Sequence, residues 1–175
     1  MTLSEVNALD RDAFVAAFGG IFEDSPWVAW RAWDSRPFAS SPSVSRADLH
    51  RAMTRQVESA SRDEQLALLR AHPDLGARAR MSRESAREQA GAGLDQLTPE
   101  EYAELTALNR AYRDKFGFPF LFAVKGSGKR EIMEALRRRV GADVETELAE
   151  ALAQVYRIAS FRLEAAVRSE ETHDE

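Results

Sequence analysis

The sequence predicts an all-α fold, a single-domain helical bundle of about eight helices. Apolar residues recur at about the 3.6-residue period of a helix along most of the chain, and residue types that begin helices precede these stretches. Segments in which apolar and polar residues alternate, as in a strand, are nearly absent. The length of 175 residues suits one domain spanning 1–175, with a polar tail from about residue 168.

Two helices are predicted in the first 35 residues. Asp10 is of the residue type that caps a helix start, and the helix after it should end at Gly19-Gly20. Ser25-Pro26 should begin a second, short helix, because proline is favoured in the first helical turn. This helix carries three tryptophans at helical spacing, which belong to the core or a subunit interface, or else to a pocket wall: Trp27, Trp30 and Trp33.

The next two predicted helices lead up to a histidine. Residues 34–45 are interpreted as an ordered loop, and Ser45 and Ser61 should cap the helices that follow it. The second of these helices contains DEQLALLRA and meets Pro73, which disfavours helical geometry at the residue before it. His72 is therefore expected at a helix C-terminus.

Four more helices are predicted in the second half of the chain, interrupted by an extended apolar stretch from Phe118 to Val124. In the third of these helices, the cations Arg137, Arg138 and Arg139 lie near the C-terminus and should offset the negative end of the helix dipole. The predicted boundaries are Ser82 or Arg83 to Gly91-Ala92-Gly93, Thr98 to Phe116-Gly117, Gly126-Ser127-Gly128 to Arg137-Arg138-Arg139, and Asp143 into the last long helix.

Composition excludes several classes of function. A net charge of −5 disfavours nucleic acid as a partner, since affinity for a duplex depends on neutralising phosphates. No apolar run approaches the roughly 20 residues that cross a bilayer, and the start MTLSEVNALD lacks the pattern of a secretion signal. We therefore expect no membrane association and a cytoplasmic location. The chain has no cysteine, and His50 and His173 lie outside metal-ligand spacing, so we expect no disulfide and no metal site.

Two groups of polar residues could carry chemistry. Ser85, Glu88 and Gln89 stand at i, i+3 and i+4, which places them on one helix face; the alternative is a solvated face. For His72, a helix C-terminus and an adjacent carboxylate would both favour the imidazolium form that acid–base chemistry uses. The alternative there is a histidine whose ring hydrogen-bonds to nearby backbone.

Four short motifs occur in order along the chain. They are AHPDLG at 71–76, SAREQ at 85–89 followed by AGLD at 92–95, FGFPFLFAVKG at 116–126, and RIASFRL at 157–163. Together they resemble the ureidoimidazoline decarboxylase family of purine catabolism. With IFEDSPWVAWRAW and RPF near the start, the resemblance covers about residues 5–165. Four ordered motifs are far more specific than any one of them.

The resemblance implies an all-helical, usually homodimeric enzyme of urate degradation. Its small-molecule substrate would be 2-oxo-4-hydroxy-4-carboxy-5-ureidoimidazoline (OHCU), converted to (S)-allantoin without a cofactor. By motif matching, His72 takes the position of the catalytic acid/base and Glu88 that of its partner carboxylate. The positions that match substrate-binding residues, the phenylalanine-rich stretch mainly through its backbone, are Pro73, Ser85, Gln89, Phe120, Leu121, Phe122, Ala123, Val124 and Arg162.

Two other functions stay open from the sequence. One is a related decarboxylase with an altered substrate. The other is a non-catalytic helical module that uses the tryptophan-rich helix as a protein-interaction surface.

Overall fold

The computed structural model describes residues 1–38, 46–77 and 82–168. Within those ranges the backbone forms nine α-helices, one 3₁₀ helix and no strand, which confirms the all-α class. In the same ranges no helix combines the length and apolar character that a membrane crossing requires. The helices are α1 (Leu3–Ala8), α2 (Arg11–Phe18), α3 (Trp27–Ala32), α4 (Arg46–Glu58), α5 (Arg62–Ala71), α6 (Arg83–Gly91), α7 (Pro99–Phe116), α8 (Lys129–Arg139) and α9 (Val144–Ala166), with the 3₁₀ helix at Trp33–Ser35.

Most of the predicted helix starts are confirmed by their side-chain caps. Ser25 is an exception, because α3 begins after Pro26 and has no side-chain cap. Residues 39–45 of the predicted loop, Ser45 included, lie outside the described residues. The confirmed caps each accept a hydrogen bond from the backbone N–H three residues further along: Asp10, Ser61, Ser82, Thr98 and Asp143.

The helix α1 is an addition to the eight that the sequence predicts. Thr2 and Glu5 form a reciprocal capping box, in which the Glu5 N–H donates to Thr2 Oγ1 at 3.2 Å and the Thr2 N–H donates to Glu5 Oε2 at 2.8 Å. The helix is six residues long and buries Leu3 and Val6. So short a helix has too few turns to show periodicity, although its T-x-x-E signature is visible in the sequence.

The described chain divides into two compact units. The first comprises residues 1–68 and the chain from Tyr156 onward, and the second comprises residues 69–155. The prediction that residues 1–175 form a single domain stays a prediction.

Aromatic rings from two segments pack in the core of the first unit. The rings of Phe14 and Phe18, both on α2, lie 4.9 Å apart, and Phe38 stacks on Phe14 at 5.5 Å. All three rings are buried, and burial of such large apolar groups is the main source of stability in a small domain.

The tryptophans of the first unit lie at its surface. Trp30 is 52% exposed, and Trp27 and Trp33 are half-buried. The guanidinium of Arg11 lies 4.3 Å from the centre of the Trp30 ring, and that of Arg36 lies 3.8 Å from the Trp33 ring. The core interpretation is therefore wrong for these residues, which instead stack with cations.

The core of the second unit surrounds the ring of Tyr112 on α7. This ring is fully buried, and its centre lies 4.5 Å from that of Phe116, 6.0 Å from Phe118 and 5.4 Å from Phe120. These contacts fasten the apolar stretch after α7 to the helix that precedes it.

Replacing Gly76 with alanine should destabilise the fold. Gly76 has a φ of +71°, and a Cβ there would lie 2.5 Å from Leu105 Cδ2. Because Leu105 is buried, overpacking adds to backbone strain, and the free energy of unfolding should fall by about 2–4 kcal/mol.

The matched control for that change is Gly126→Ala. Its φ is +82°, but nothing lies within 4 Å of the added Cβ. Backbone strain alone should cost about 1–2 kcal/mol at this position. Urea unfolding measures both variants, and equal losses would contradict the steric argument.

Candidate active site

His72 lies directly after the last residue of α5 and is buried. Its N–H donates to the Leu69 carbonyl at 3.3 Å, and 5% of the residue is exposed. Pro73 follows it, and a proline has no N–H with which to continue the helical hydrogen bonds. The prediction of a histidine at a helix C-terminus is confirmed.

A hydrogen bond joins the turn after His72 to α6. The Gly76 N–H donates to Gln89 Oε1 at 2.8 Å, and Gln89 is buried. The positive φ of Gly76 allows the chain to turn sharply at this point. Two of the four sequence motifs, AHPDLG and SAREQ, are therefore in direct contact. The amide oxygen of Gln89 therefore holds the turn.

Two side chains of α7 hold the same turn. Asn109 Nδ2 donates to the Leu75 carbonyl at 2.9 Å, and Arg113 forms an ion pair with Asp74 at 2.7 Å. The Asn109 bond is buried, so breaking it would leave a carbonyl unsatisfied in the interior. The ion pair is partly exposed and contributes less.

Helix α6 presents a polar face of which part is buried. Ser82 caps this helix, and one turn further on Ser85 is only 5% exposed. Gln89, one turn beyond Ser85, is also buried, whereas Glu88 beside it is half-buried. The solvated-face interpretation is therefore wrong for Ser85 and Gln89, because buried polar groups of this kind require specific partners.

The apolar stretch Phe120–Val124 belongs to no helix or strand, and four of its five side chains are buried. Its backbone is held by two side chains from different helices. Arg139 Nη1 on α8 donates to the Leu121 carbonyl at 2.7 Å, and the Ala123 N–H donates to Gln154 Oε1 on α9 at 2.8 Å. The phenylalanine-rich motif is thus fixed through its main chain as well as through its rings.

Arg139 makes buried contacts that are not visible in the sequence. Its Nε donates to Glu147 Oε1 at 2.7 Å, and both side chains are buried. Tyr112 Oη donates to the same carboxylate oxygen at 2.5 Å, and burial together with this hydrogen bond raises the pKa of Tyr112. Arg139 lies in the last turn of α8, as predicted, and in addition binds a buried carboxylate and the Leu121 carbonyl, which the sequence does not predict. No sequence signal distinguishes it from its neighbours Arg137 and Arg138.

Arg162 is the one predicted site residue that belongs to the first unit. It is 7% exposed, its Nη1 lies 2.9 Å from Glu23 Oε2, and the same nitrogen donates to the Gly20 carbonyl at 3.3 Å. Glu23 is also buried and was missed by the sequence analysis. The sequence did contain a pointer to Glu23, because this residue lies within the IFEDSPWVAWRAW segment that contributed to the family resemblance. A buried guanidinium paired in this way has a fixed orientation.

Metal binding has no visible basis in the part of the chain that the structure describes. Across 1–38, 46–77 and 82–168, no three histidine, aspartate or glutamate side chains are grouped in a way that could hold a metal ion.

Replacing Gln89 with methionine should destabilise the second unit, because the change removes the acceptor for the Gly76 N–H while keeping the side-chain length. A partly buried donor without a partner should lower the free energy of unfolding by about 1 kcal/mol. Gln96→Met is the control, since Gln96 is exposed and the change should stay within about 0.5 kcal/mol. Denaturant unfolding compares them, and a Gln89→Met variant as stable as the control would count against the anchoring role.

Comparison with known proteins agrees with the geometry. The sequence model of the family described as OHCU decarboxylase matches residues 7–164. A 2-oxo-4-hydroxy-4-carboxy-5-ureidoimidazoline decarboxylase of Haloferax volcanii is 50% identical over 170 residues, which are 97% of this chain and 98% of that protein. The uric acid degradation bifunctional protein PucL of Bacillus subtilis is 46% identical over 162 residues, which are 93% of this chain but 32% of that longer protein.

A solved structure extends the comparison to the fold. The crystal structure of an (S)-allantoin synthase matches with a TM-score of 0.78 and 31% sequence identity, over 96% of this chain and 54% of the other. The family resemblance in the four motifs is thereby confirmed. This chain belongs to the OHCU decarboxylase family.

Proposed function

We propose that this chain decarboxylates OHCU to (S)-allantoin in urate degradation, without a cofactor and with His72 as acid/base. The observation that carries the proposal is the hydrogen bond between the Gly76 N–H and Gln89 Oε1. It joins the segment that presents His72 to the helix that presents Ser85 and Glu88. The substrate is inferred from the family to which the chain belongs. The hydrogen bond supports the proposal because it brings two of the motif segments together.

The substrate can act as its own electron sink. Its carboxylate is attached to a ring carbon next to a C=N bond. When the bond to the carboxylate breaks, CO₂ leaves and the electron pair moves into the imine, which gives an enol-like intermediate. A proton then adds to the carbon that bears the ureido group and creates the stereocentre. The protein has to orient the substrate, stabilise charge and deliver this proton to one face.

His72 and Glu88 are proposed to handle the protons. His72 lies directly after the last residue of α5, where the helix C-terminus carries partial negative charge. Pro73 ends the helix at this point, and the anchored turn after it limits movement of the ring. Glu88 on α6 supplies the carboxylate that would stabilise the imidazolium.

The remaining residues are proposed to bind the substrate. Ser85 and the Nε2 group of Gln89 present hydrogen-bonding groups for the ring and the ureido substituent. The backbone of Phe120–Val124 presents further N–H and carbonyl groups. Arg162, oriented by Glu23, is proposed to bind a carboxylate or carbonyl oxygen of the substrate.

The test of the function is a coupled reaction. Urate oxidase and hydroxyisourate hydrolase generate OHCU in place, and circular dichroism follows the appearance of (S)-allantoin. We expect allantoin to form far faster with the chain than by spontaneous decay, and in one handedness. Unchanged kinetics would refute the function, and turnover of a different imidazoline carboxylate would instead indicate a related decarboxylase.

A homodimer and a cytoplasmic location belong to the same proposal. The family resemblance supports the dimer, and the exposed ring of Trp30 offers apolar surface for a second copy. Light scattering at micromolar concentration should give twice the 19.6 kDa mass of one chain. A species of monomer mass alone would contradict the dimer without affecting the decarboxylase assignment.

Glu88→Gln should lower kcat by about 10²-fold or more, the usual scale for a group in acid–base catalysis. The change keeps size and hydrogen-bonding reach and removes only the charge. Glu84→Gln is the matched control, because Glu84 lies one turn earlier on α6 and is exposed. Steady-state kinetics in the coupled assay should show near-normal turnover for the control. Similar turnover for both variants would show that the Glu88 charge is not used.

His72→Asn should fold normally and lose control of handedness. A free intermediate accepts a proton on either face, so allantoin formed without a fixed donor is racemic. We expect allantoin to appear at the uncatalysed rate and without a circular-dichroism signal. Rapid formation of optically pure (S)-allantoin by this variant would show that another group delivers the proton.

A further inference from the structure

The backbone of Phe120–Val124 is held from two helices by side chains to which the family resemblance gives no role. Arg139 on α8 binds the carbonyl of Leu121, and Gln154 on α9 binds the N–H of Ala123. Both side chains are buried, and so are both hydrogen bonds.

The two bonds bind backbone groups on either side of Phe122. In a trans peptide the carbonyl and the N–H point in opposite directions. The Phe122 N–H shares a peptide with the Leu121 carbonyl and therefore points away from Arg139. The Phe122 carbonyl shares a peptide with the Ala123 N–H and therefore points away from Gln154. Phe122 is also the partly exposed member of a segment whose other side chains are buried.

Both holding side chains are themselves fixed. Glu147 accepts a hydrogen bond from Arg139 Nε at 2.7 Å, and Tyr112 Oη binds the same carboxylate. Gln154 Nε2 donates to Glu150 Oε1 at 2.7 Å, one turn earlier on α9. A side chain held at both ends has little rotational freedom, so it can transmit a fixed position to the backbone that it binds.

We propose that Arg139 and Gln154 are positioning residues that hold the backbone of Phe120–Val124 on both sides of Phe122, so that the backbone of Phe122 binds the substrate. This inference rests on the proposed function. It adds to that function a cause for the segment's geometry and names Phe122 as the residue whose main chain makes the contact. The role of Arg139 and Gln154 is binding rather than chemistry, so they should affect KM and not kcat.

Gln154→Met tests one side of this arrangement. Methionine has a similar length but no acceptor, so the buried Ala123 N–H loses its partner and the segment relaxes. KM for OHCU should rise about tenfold, the scale of one lost buried hydrogen bond, while kcat changes little. The control is Gln65→Met, since Gln65 Nε2 donates to the Val57 carbonyl at 2.9 Å in the first unit. That variant loses a partly buried side-chain-to-backbone bond of similar length and should keep the KM of the unaltered chain.

A charge-preserving swap provides the rescue. In the double variant Gln154→Glu with Glu150→Gln, the amide at position 150 can donate to the carboxylate at 154, whose other oxygen accepts the Ala123 N–H. KM should return to within about threefold of the unaltered chain, as expected for two directly coupled positions. Gln154→Glu alone places two carboxylates in contact and should not restore the KM.

Arg139→Lys tests the other side. Lysine keeps the charge that Glu147 needs, so the buried carboxylate is not left unpaired, but a single ammonium lacks the second arm that binds Leu121. KM should rise and kcat should stay close to normal. Arg137→Lys is the control, because Arg137 lies two residues earlier on α8 and forms an exposed ion pair with Glu104.

Hydrogen exchange of the Ala123 amide, followed by NMR, gives a readout that does not depend on activity. Protection should be lost in Gln154→Met and restored in the double variant. If Gln154→Met and Arg139→Lys melt at lower temperature but keep the normal KM, their role is structural only and the inference is overturned. A fall in kcat with an unchanged KM would overturn it as well. If the unaltered chain does not turn over OHCU, both the proposed function and this inference are refuted. If it does turn over OHCU and the variants keep the normal KM, only this inference is refuted.

Discussion

The arrangement of the candidate site depends on how the chain is held directly after His72. Pro73 ends α5, and Gly76 allows a turn that few other residues can adopt. The hydrogen bond from Gly76 to Gln89 then fixes that turn against α6. Because the catalytic proposal requires a proton donor that approaches one face of an intermediate, the position of the histidine matters more than its basicity. A loosely held ring would not favour one enantiomer.

Buried polar contacts serve orientation more than stability in this protein. Among the described residues, each unit contains a buried arginine–glutamate pair, Arg162 with Glu23 in the first and Arg139 with Glu147 in the second. Removing such charges from water costs free energy that their attraction only partly offsets, and apolar residues of the same size are often at least as stable. What the pairs provide is a guanidinium with a defined direction. In the second unit that direction fixes the Leu121 carbonyl.

Local features of the fold were readable from the sequence, and long-range ones were not. Caps such as Asp10 and Thr98 were predicted because each bonds to a residue only three positions away. The partner of Arg139 on the phenylalanine-rich segment lies 18 residues away, and periodicity contains no information about such a contact. The site residues came from ordered motifs, which identify positions without explaining them. The burial of Glu23 and the partner of Gln154 became visible only when the helices were assembled.

We propose that the second-unit segments around His72 and Phe120–Val124 form the substrate site. A crystal structure of this chain with bound (S)-allantoin would test this proposal. We expect the ligand within hydrogen-bonding distance of the His72 side chain and of the Phe122 backbone, with the bonds of Arg139 and Gln154 intact. A ligand bound elsewhere, or bound without contact to either segment, would contradict it.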